Sequence, residues 1–176
     1  EFEDGVILIG SLIYETGDAG NTWTAQVSGT TNCLNSIFFT DIQTGYVVGN
    51  AGTIIKTTNA GNTWISETNG TTDMLESVCF TDSLTGYAVG YGGRILKTSD
   101  SGNNWTIQTN GVYSWLYTVY FTDALTGYAM GSSGTILKTS DAGNTWTLQP
   151  TGISQGLYSS FFTDTDTGYA VGYTGK

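Results

Sequence analysis

"TSDAGNTW", Thr139–Trp146, is the stretch whose reading decides the fold of this chain. Near-copies stand at Thr16–Trp23 (TGDAGNTW), Thr57–Trp64 (TTNAGNTW) and Thr98–Trp105 (TSDSGNNW). Successive tryptophans lie 41 residues apart, with no slippage. A fixed period of this length marks a repeat architecture, in which each unit buries its apolar face against the next. Working outward, "FTD" recurs from Phe39, Phe80, Phe121 and Phe162. "TGY" recurs with its tyrosine at positions 46, 87, 128 and 169. A lysine keeps the same phase at Lys56, Lys97 and Lys138, with Glu15 in the first copy.

One unit runs from Leu75 to Asn110. Its runs are short, rich in β-branched and aromatic residues, and bounded by Gly, Asn or Asp. No segment holds a 3.6-residue apolar period of useful length. Four strands are predicted per unit: a (Leu75–Thr81), b (Gly86–Gly90), c (Arg94–Thr98) and d (Asn104–Gln108). Four antiparallel strands every ~40 residues specify a β-propeller blade. The chain is therefore expected to be all-β, a single propeller domain over residues 1–176 with half-blades at both ends. A β-solenoid is the rival, but its coils are usually shorter and have no use for a tight turn before a fixed tryptophan.

The phrase resembles the Asp-box of the BNR repeat family, Ser/Thr-x-Asp-x-Gly-x-Thr-Trp. Thr139, Asp141, Gly143, Thr145 and Trp146 match every position, as do Thr16, Asp18, Gly20, Thr22 and Trp23. The other copies depart at Asn59 and Asn104. The wider unit is similar to the repeat of photosystem II assembly factors and related secreted bacterial proteins. That resemblance places the phrase in the c–d turn. Side-chain chemistry agrees, because Asp or Asn accepts bonds from nearby backbone N–H groups and Gly adopts positive φ cheaply. Four equivalent copies describe a structural staple rather than an active site. Asp41, Asp82, Asp123 and Asp164 are expected to cap the a–b turns, and the repeated Tyr and Phe to form blade-to-blade core.

Charge narrows the partners. Fifteen acidic residues face five basic ones, for a net charge of −10. Nucleic acid is not an expected partner, since phosphate binding needs a basic footprint. Anionic membranes are disfavoured likewise, and no apolar run approaches the ~20 residues of a membrane span. No cofactor or metal site is expected: the chain has no histidine, and its two cysteines cannot make a zinc site. Cys33 and Cys79 hold non-equivalent places in the repeat, and both a disulfide and separate thiols stay open.

Propeller strands alternate direction, so the near-invariant a–b and c–d turns share one face. The d–a and b–c loops share the other, and they differ between copies: "GTTNC", "GTTDM", "GVYSW" and "GISQG". Variable loops on a constant scaffold are where a specific surface is built. This face supplies the candidate ligand-binding residues Tyr91, Arg94, Tyr113, Trp115 and Tyr173, with Tyr117, Tyr158, Asp73 and Glu76 on the same side. Aromatic rings beside polar groups suit sugars or a protein partner. Enzyme readings fare worse. Sialidases, which also carry the Asp-box, would need an arginine cluster, and Arg94 is the only arginine. A nucleophilic triad lacks its histidine. A glycoside hydrolase would have to use Asp73 and Glu76.

The expectation is a non-catalytic binding or interaction module, extracellular or on a bacterial-type cell surface, recognising glycan or protein. The alternatives are a structural building block of a larger surface protein or assembly, and a glycoside hydrolase. The c and d strands near Leu12–Gln26 and the a and b strands near Leu157–Gly172 together make one blade. Closure into a four-bladed ring is expected, through bonds between residues near Tyr169–Gly172 and near Leu12–Glu15. Self-association, or membership of a larger propeller, is the alternative; "GVILIG" at Gly5–Gly10, an extra b-like run, favours the larger propeller.

Overall fold

The computed structural model describes residues 10–173. Three complete blades lie between two half-blades. The first half-blade pairs β1 (Leu12–Glu15) with β2 (Thr24–Val27). Blade 1 contains β3 (Leu34–Phe39), β4 (Gly45–Gly49), β5 (Ile54–Thr57) and β6 (Ile65–Ser66). Blade 2 contains β7 (Leu75–Phe80), β8 (Gly86–Gly90), β9 (Ile95–Thr98) and β10 (Thr106–Ile107). Blade 3 contains β11 (Leu116–Phe121), β12 (Gly127–Gly131), β13 (Ile136–Thr139) and β14 (Thr147–Leu148). The last half-blade pairs β15 (Leu157–Phe162) with β16 (Gly168–Gly172). Each complete blade is an antiparallel meander in chain order. The predicted a, b and c strands match within one residue. Strand d is shorter than expected, because the turn holds the backbone as far as Trp105 and leaves only Thr106–Ile107 for the ladder.

The repeated turn is held by its own side chains. The Thr139 hydroxyl accepts the Gly143 N–H at 2.9 Å and donates to Asp141 Oδ1 at 2.9 Å. The Asp141 carboxylate then accepts the Thr145 N–H at 2.8 Å and the Thr145 hydroxyl at 2.6 Å. Those last two bonds hold its pKa below the usual carboxylate range. The departures keep the lattice. At Asn59 the amide oxygen accepts the Thr63 N–H at 3.0 Å while its NH₂ donates to the Thr63 hydroxyl. At Asn104 an amide N–H replaces the hydroxyl donor to Asp100, at 2.7 Å. On the same face Asp123 Oδ1 accepts the Leu125 and Thr126 N–H groups at 2.7 Å. The expected a–b caps are thus present, and Asp41, Asp82 and Asp164 repeat them.

Strand b is the centre of each blade. All five residues of β8 are buried, so it reads as a continuous small or apolar run rather than an alternation. Its tyrosine crosses to the following blade. Tyr87 stacks on Phe121 with centroids 4.1 Å apart and donates its hydroxyl to the Ala142 carbonyl at 2.7 Å. Tyr46 repeats both contacts, with Phe80 at 4.0 Å and the Ser101 carbonyl at 2.8 Å. Trp105 and Trp146 close the stack edge-on to Phe80 and Phe121. Phe, Tyr and Trp from three separate motifs therefore form one inter-blade seam.

Four-bladed closure is not formed. Among the described residues β16 pairs only with β15, and β1 only with β2. All of β16 is exposed. Joining them would require the two half-sheets to be coplanar. Each lies against its own neighbouring blade: β15 against β11, and Ile13 of β1 against Val47, Ile55 and Trp64. The outer strands β16 and β1 therefore remain edges of separate two-stranded sheets. Residues 1–9, which include most of the extra b-like run, lie outside the described residues. Cys33 and Cys79 are free thiols.

Candidate functional site

The variable face is built on two ties repeated in each of the three complete blades. The first is backbone: the N–H at each b–c tip donates to the carbonyl just before strand a. Asn50 meets Cys33, Tyr91 meets Met74, Ser132 meets Trp115 and Tyr173 meets Gly156, at 2.8–3.0 Å. The tips at Asn50–Gly52, Tyr91–Gly93 and Ser132–Gly134 are each a single 3₁₀ turn, which the strand pattern does not reveal. The second tie is made by side chains. Asn32 bonds Thr53 at 2.9 Å, and Thr135 bonds Ser114 at 2.8 Å. At the same place in blade 2, Arg94 Nε donates to Asp73 Oδ2 at 2.8 Å and a second guanidinium nitrogen closes an ion pair. Arg94 is thus the charged form of a structural tie, and both Arg94 and Asp73 are engaged in it.

Strand a carries a β-bulge near its start in each of the last four sheets. In β7 the register shifts between Leu75 and Ser77, and in β11 between Leu116 and Thr118. The bulged residues are Asn35, Glu76, Tyr117 and Tyr158. A bulge re-aims the extra side chain. The displaced backbone is met by the preceding blade: Ser77 Oγ accepts the Val119 N–H, and Ser36 Oγ the Val78 N–H, both at 3.3 Å.

These features assemble an aromatic ladder. Tyr113 meets Tyr91 edge-on at 6.3 Å, and Tyr91 meets Trp115 edge-on at 5.5 Å. Trp115 lies 5.5 Å from Tyr117, which lies 4.8 Å from Tyr158. The row crosses from blade 2 through blade 3 to the last half-blade. Tyr91, Tyr113 and Tyr158 are exposed, while Trp115 and Tyr117 are half-buried. Glu76 sits at the row's edge and accepts the Trp115 indole N–H at 3.1 Å. Burial raises the Glu76 pKa, and that bond offsets part of the rise. Burial likewise raises Tyr117, with Tyr158 and Glu76 adding to it.

Of the five residues singled out from sequence, the structure brings Tyr91, Tyr113 and Trp115 together. Arg94 is held by Asp73. Tyr173 is exposed on the same face, at its own b–c tip, but no ring of the ladder touches it. Tyr117, Tyr158 and Glu76 are the members that a sequence reading underweights. Their signal is the position after the repeated leucine, where the bulge falls. A separate groove of about 610 Å³ lies away from the ladder, between Ser28–Asn32 and Glu67–Thr72 over the blade 1 tip. The Asn69 amide in it is spent on Gly52 and Thr71. Among the described residues no three ligating side chains converge on a metal position, and no helix is long and apolar enough to cross a membrane.

Residues 29–109 match the family described as photosynthesis system II assembly factor YCF48. The solved structure of YCF48 from Cyanidioschyzon merolae superposes with a TM-score of 0.72 over 92% of this chain, at 17% identity. The fold is that of a β-propeller. The structure of YCF48 bound to D1 peptide superposes on 70% of this propeller chain with a TM-score of 0.63, at 22% identity. The GH74 enzyme of Niastella koreensis superposes on 89% of it with a TM-score of 0.72, also at 22% identity. The propeller chain spans 60% of the Cyanidioschyzon protein, 41% of the peptide-bound one and 28% of the GH74 enzyme. No curated protein matches its sequence significantly.

Proposed function

We propose that this chain is a non-catalytic recognition module that binds a protein segment through its variable loop face. The observation that carries the proposal is the five-ring ladder from Tyr113 to Tyr158, built on the face opposite the repeated turns. Binding energy concentrates in aromatic anchors of this kind. The family match supports the same reading, as does a structural neighbour that is itself a propeller with a bound peptide. An extracellular or cell-surface setting is proposed with it.

Catalysis finds little support in the two available carboxyl groups. Asp73 is committed to Arg94 and Glu76 to the Trp115 indole. The likeness to GH74 enzymes favours a second reading, in which the same rings stack on a glycan. A combined peptide and glycan array, probed with the chain and with Trp115→Ala, tests the proposal. Peptide signals that the substitution abolishes are expected. Glycan signals alone would replace the first reading with the second, and reducing-sugar release would overturn both.

A further inference from the structure

The ladder carries a charge that no described residue of its own protein balances. Glu76 is half-buried at its edge, and its one protein hydrogen bond is with the neutral Trp115 indole. Four cations lie among the described residues, and each is committed away from Glu76. Lys56 donates to the Ser101 carbonyl, and Lys97 to Asn144, both on the turn face. Lys138 lies 5.5 Å from the Tyr128 ring centroid. Arg94, the one cation of the loop face among the described residues, is neutralised by Asp73. The chain as a whole carries a charge of −10. Beside Glu76 the faces of Trp115 and Tyr117 are tilted 39° to each other rather than closed in a stack. Aromatic faces attract cations, Trp most strongly, and desolvation increases the attraction.

We infer that this ladder selects a basic protein segment: a lysine or arginine side chain laid along the Trp115 and Tyr117 rings, its charge meeting the Glu76 carboxylate. The inference rests on the recognition reading above and adds the sign of the partner's charge. The apolar stem of either side chain suits the rings, while its head reaches the acid. Burial that disfavours the Glu76 carboxylate in the free protein is offset once a cation sits beside it. The outer rings, Tyr113 and Tyr158, would take apolar residues flanking the cation.

The test is calorimetric titration with three synthetic peptides, identical except for two central residues flanking a leucine: Lys and Arg, two Gln, or two Glu. A xylo-oligosaccharide is the fourth probe. The proteins are the unaltered chain, Glu76→Gln and Trp115→Ala. Glu76→Gln keeps an acceptor for the indole N–H and removes only the charge. The basic peptide is expected to bind, the glutamate peptide not to bind, and Glu76→Gln to weaken binding about tenfold. Affinity should fall between about 50 mM and about 500 mM salt. If the glutamine peptide binds as tightly as the basic one and Glu76→Gln changes nothing, the charge inference fails while peptide recognition stands. Basic-peptide binding that survives both substitutions would be general attraction to an acidic surface, and overturns the inference. Oligosaccharide binding without peptide binding, or no binding by any probe at about 1 mM, overturns the inference and the protein reading together.

Discussion

Tyr87 and Tyr169 hold the same place in the repeat, but among the described residues only Tyr87 has a blade beyond it. Tyr87 is fully buried, whereas Tyr169 is 63% exposed. Truncating Tyr87 to Phe removes one inter-blade hydrogen bond, to Ala142, and leaves the ring stack with Phe121 intact. The expected cost is about 1 kcal/mol. Tyr87→Ala also removes the ring from a tightly packed seam, and should cost about 3–5 kcal/mol. Tyr169→Ala removes the same atoms from a surface and should cost under about 0.5 kcal/mol. In a repeat protein, stability is close to a sum of blade and interface terms. The loss at Tyr87 should therefore uncouple blade 2 from blade 3. Urea unfolding followed by tryptophan fluorescence measures all three variants, and hydrogen exchange locates the weakened seam between β8 and β11. Equal costs for Tyr87→Ala and Tyr169→Ala would refute the claim that the repeated tyrosine acts across the blade interface.

Gly143 has φ +73°, and a methyl there would lie 2.6 Å from the Tyr87 ring, whereas nothing lies within 4 Å at Gly20. Gly143→Ala should thus cost about 2–3 kcal/mol and Gly20→Ala about 1 kcal/mol, measured by chemical denaturation. Asp18, Asp41, Asp82, Asp100, Asp123, Asp141 and Asp164 all have pKa values lowered, chiefly by hydrogen bonds from neighbouring side chains and backbone N–H groups. Their contribution is present above the unfolded carboxyl pKa of about 3.9 and is lost as pH falls through the lower folded values. Stability should therefore hold on the neutral side of about pH 5 and fall below about pH 4, as acid titrations of the melting temperature would show. Glu76 has the opposite sign. Its raised pKa means stability falls as pH rises past the unfolded value, so Glu76→Gln should be no less stable than the parent at pH 7 by the same melts. Cys33 is exposed, while burial pushes the Cys79 thiol up to about 12. One thiol should therefore react rapidly with a disulfide reagent in the folded state at neutral pH, and the second, half-buried, far more slowly until the chain unfolds.

The blade was legible in the sequence because each of its strands is bounded by a local signal. Asp123 caps the turn after β11, and Thr139 with Asp141 closes the turn after β13, by bonds spanning two to four residues. Periodicity then placed every copy in phase. The two faces were legible too, because strand alternation alone assigns each turn to a side. Tyr91, Tyr113 and Trp115 stood out because their counterparts in other copies are not aromatic at all three places.

Tertiary structure decided the rest. Whether Arg94 was free could not be read along the chain, because Asp73 is 21 residues away and meets it through a tie common to all blades. The bulges that turn Glu76, Tyr117 and Tyr158 into one row depend on cross-strand register and on serines of the preceding blade. Closure failed as an expectation for a related reason. A complementary count of strands says which edges could pair, but the turn between blades is set by how Tyr46, Tyr87 and Tyr128 stack on the next blade. Local bonds wrote the blade into the sequence; the angle between blades, and the surface that angle assembles, arise only when side chains far apart in the chain pack together.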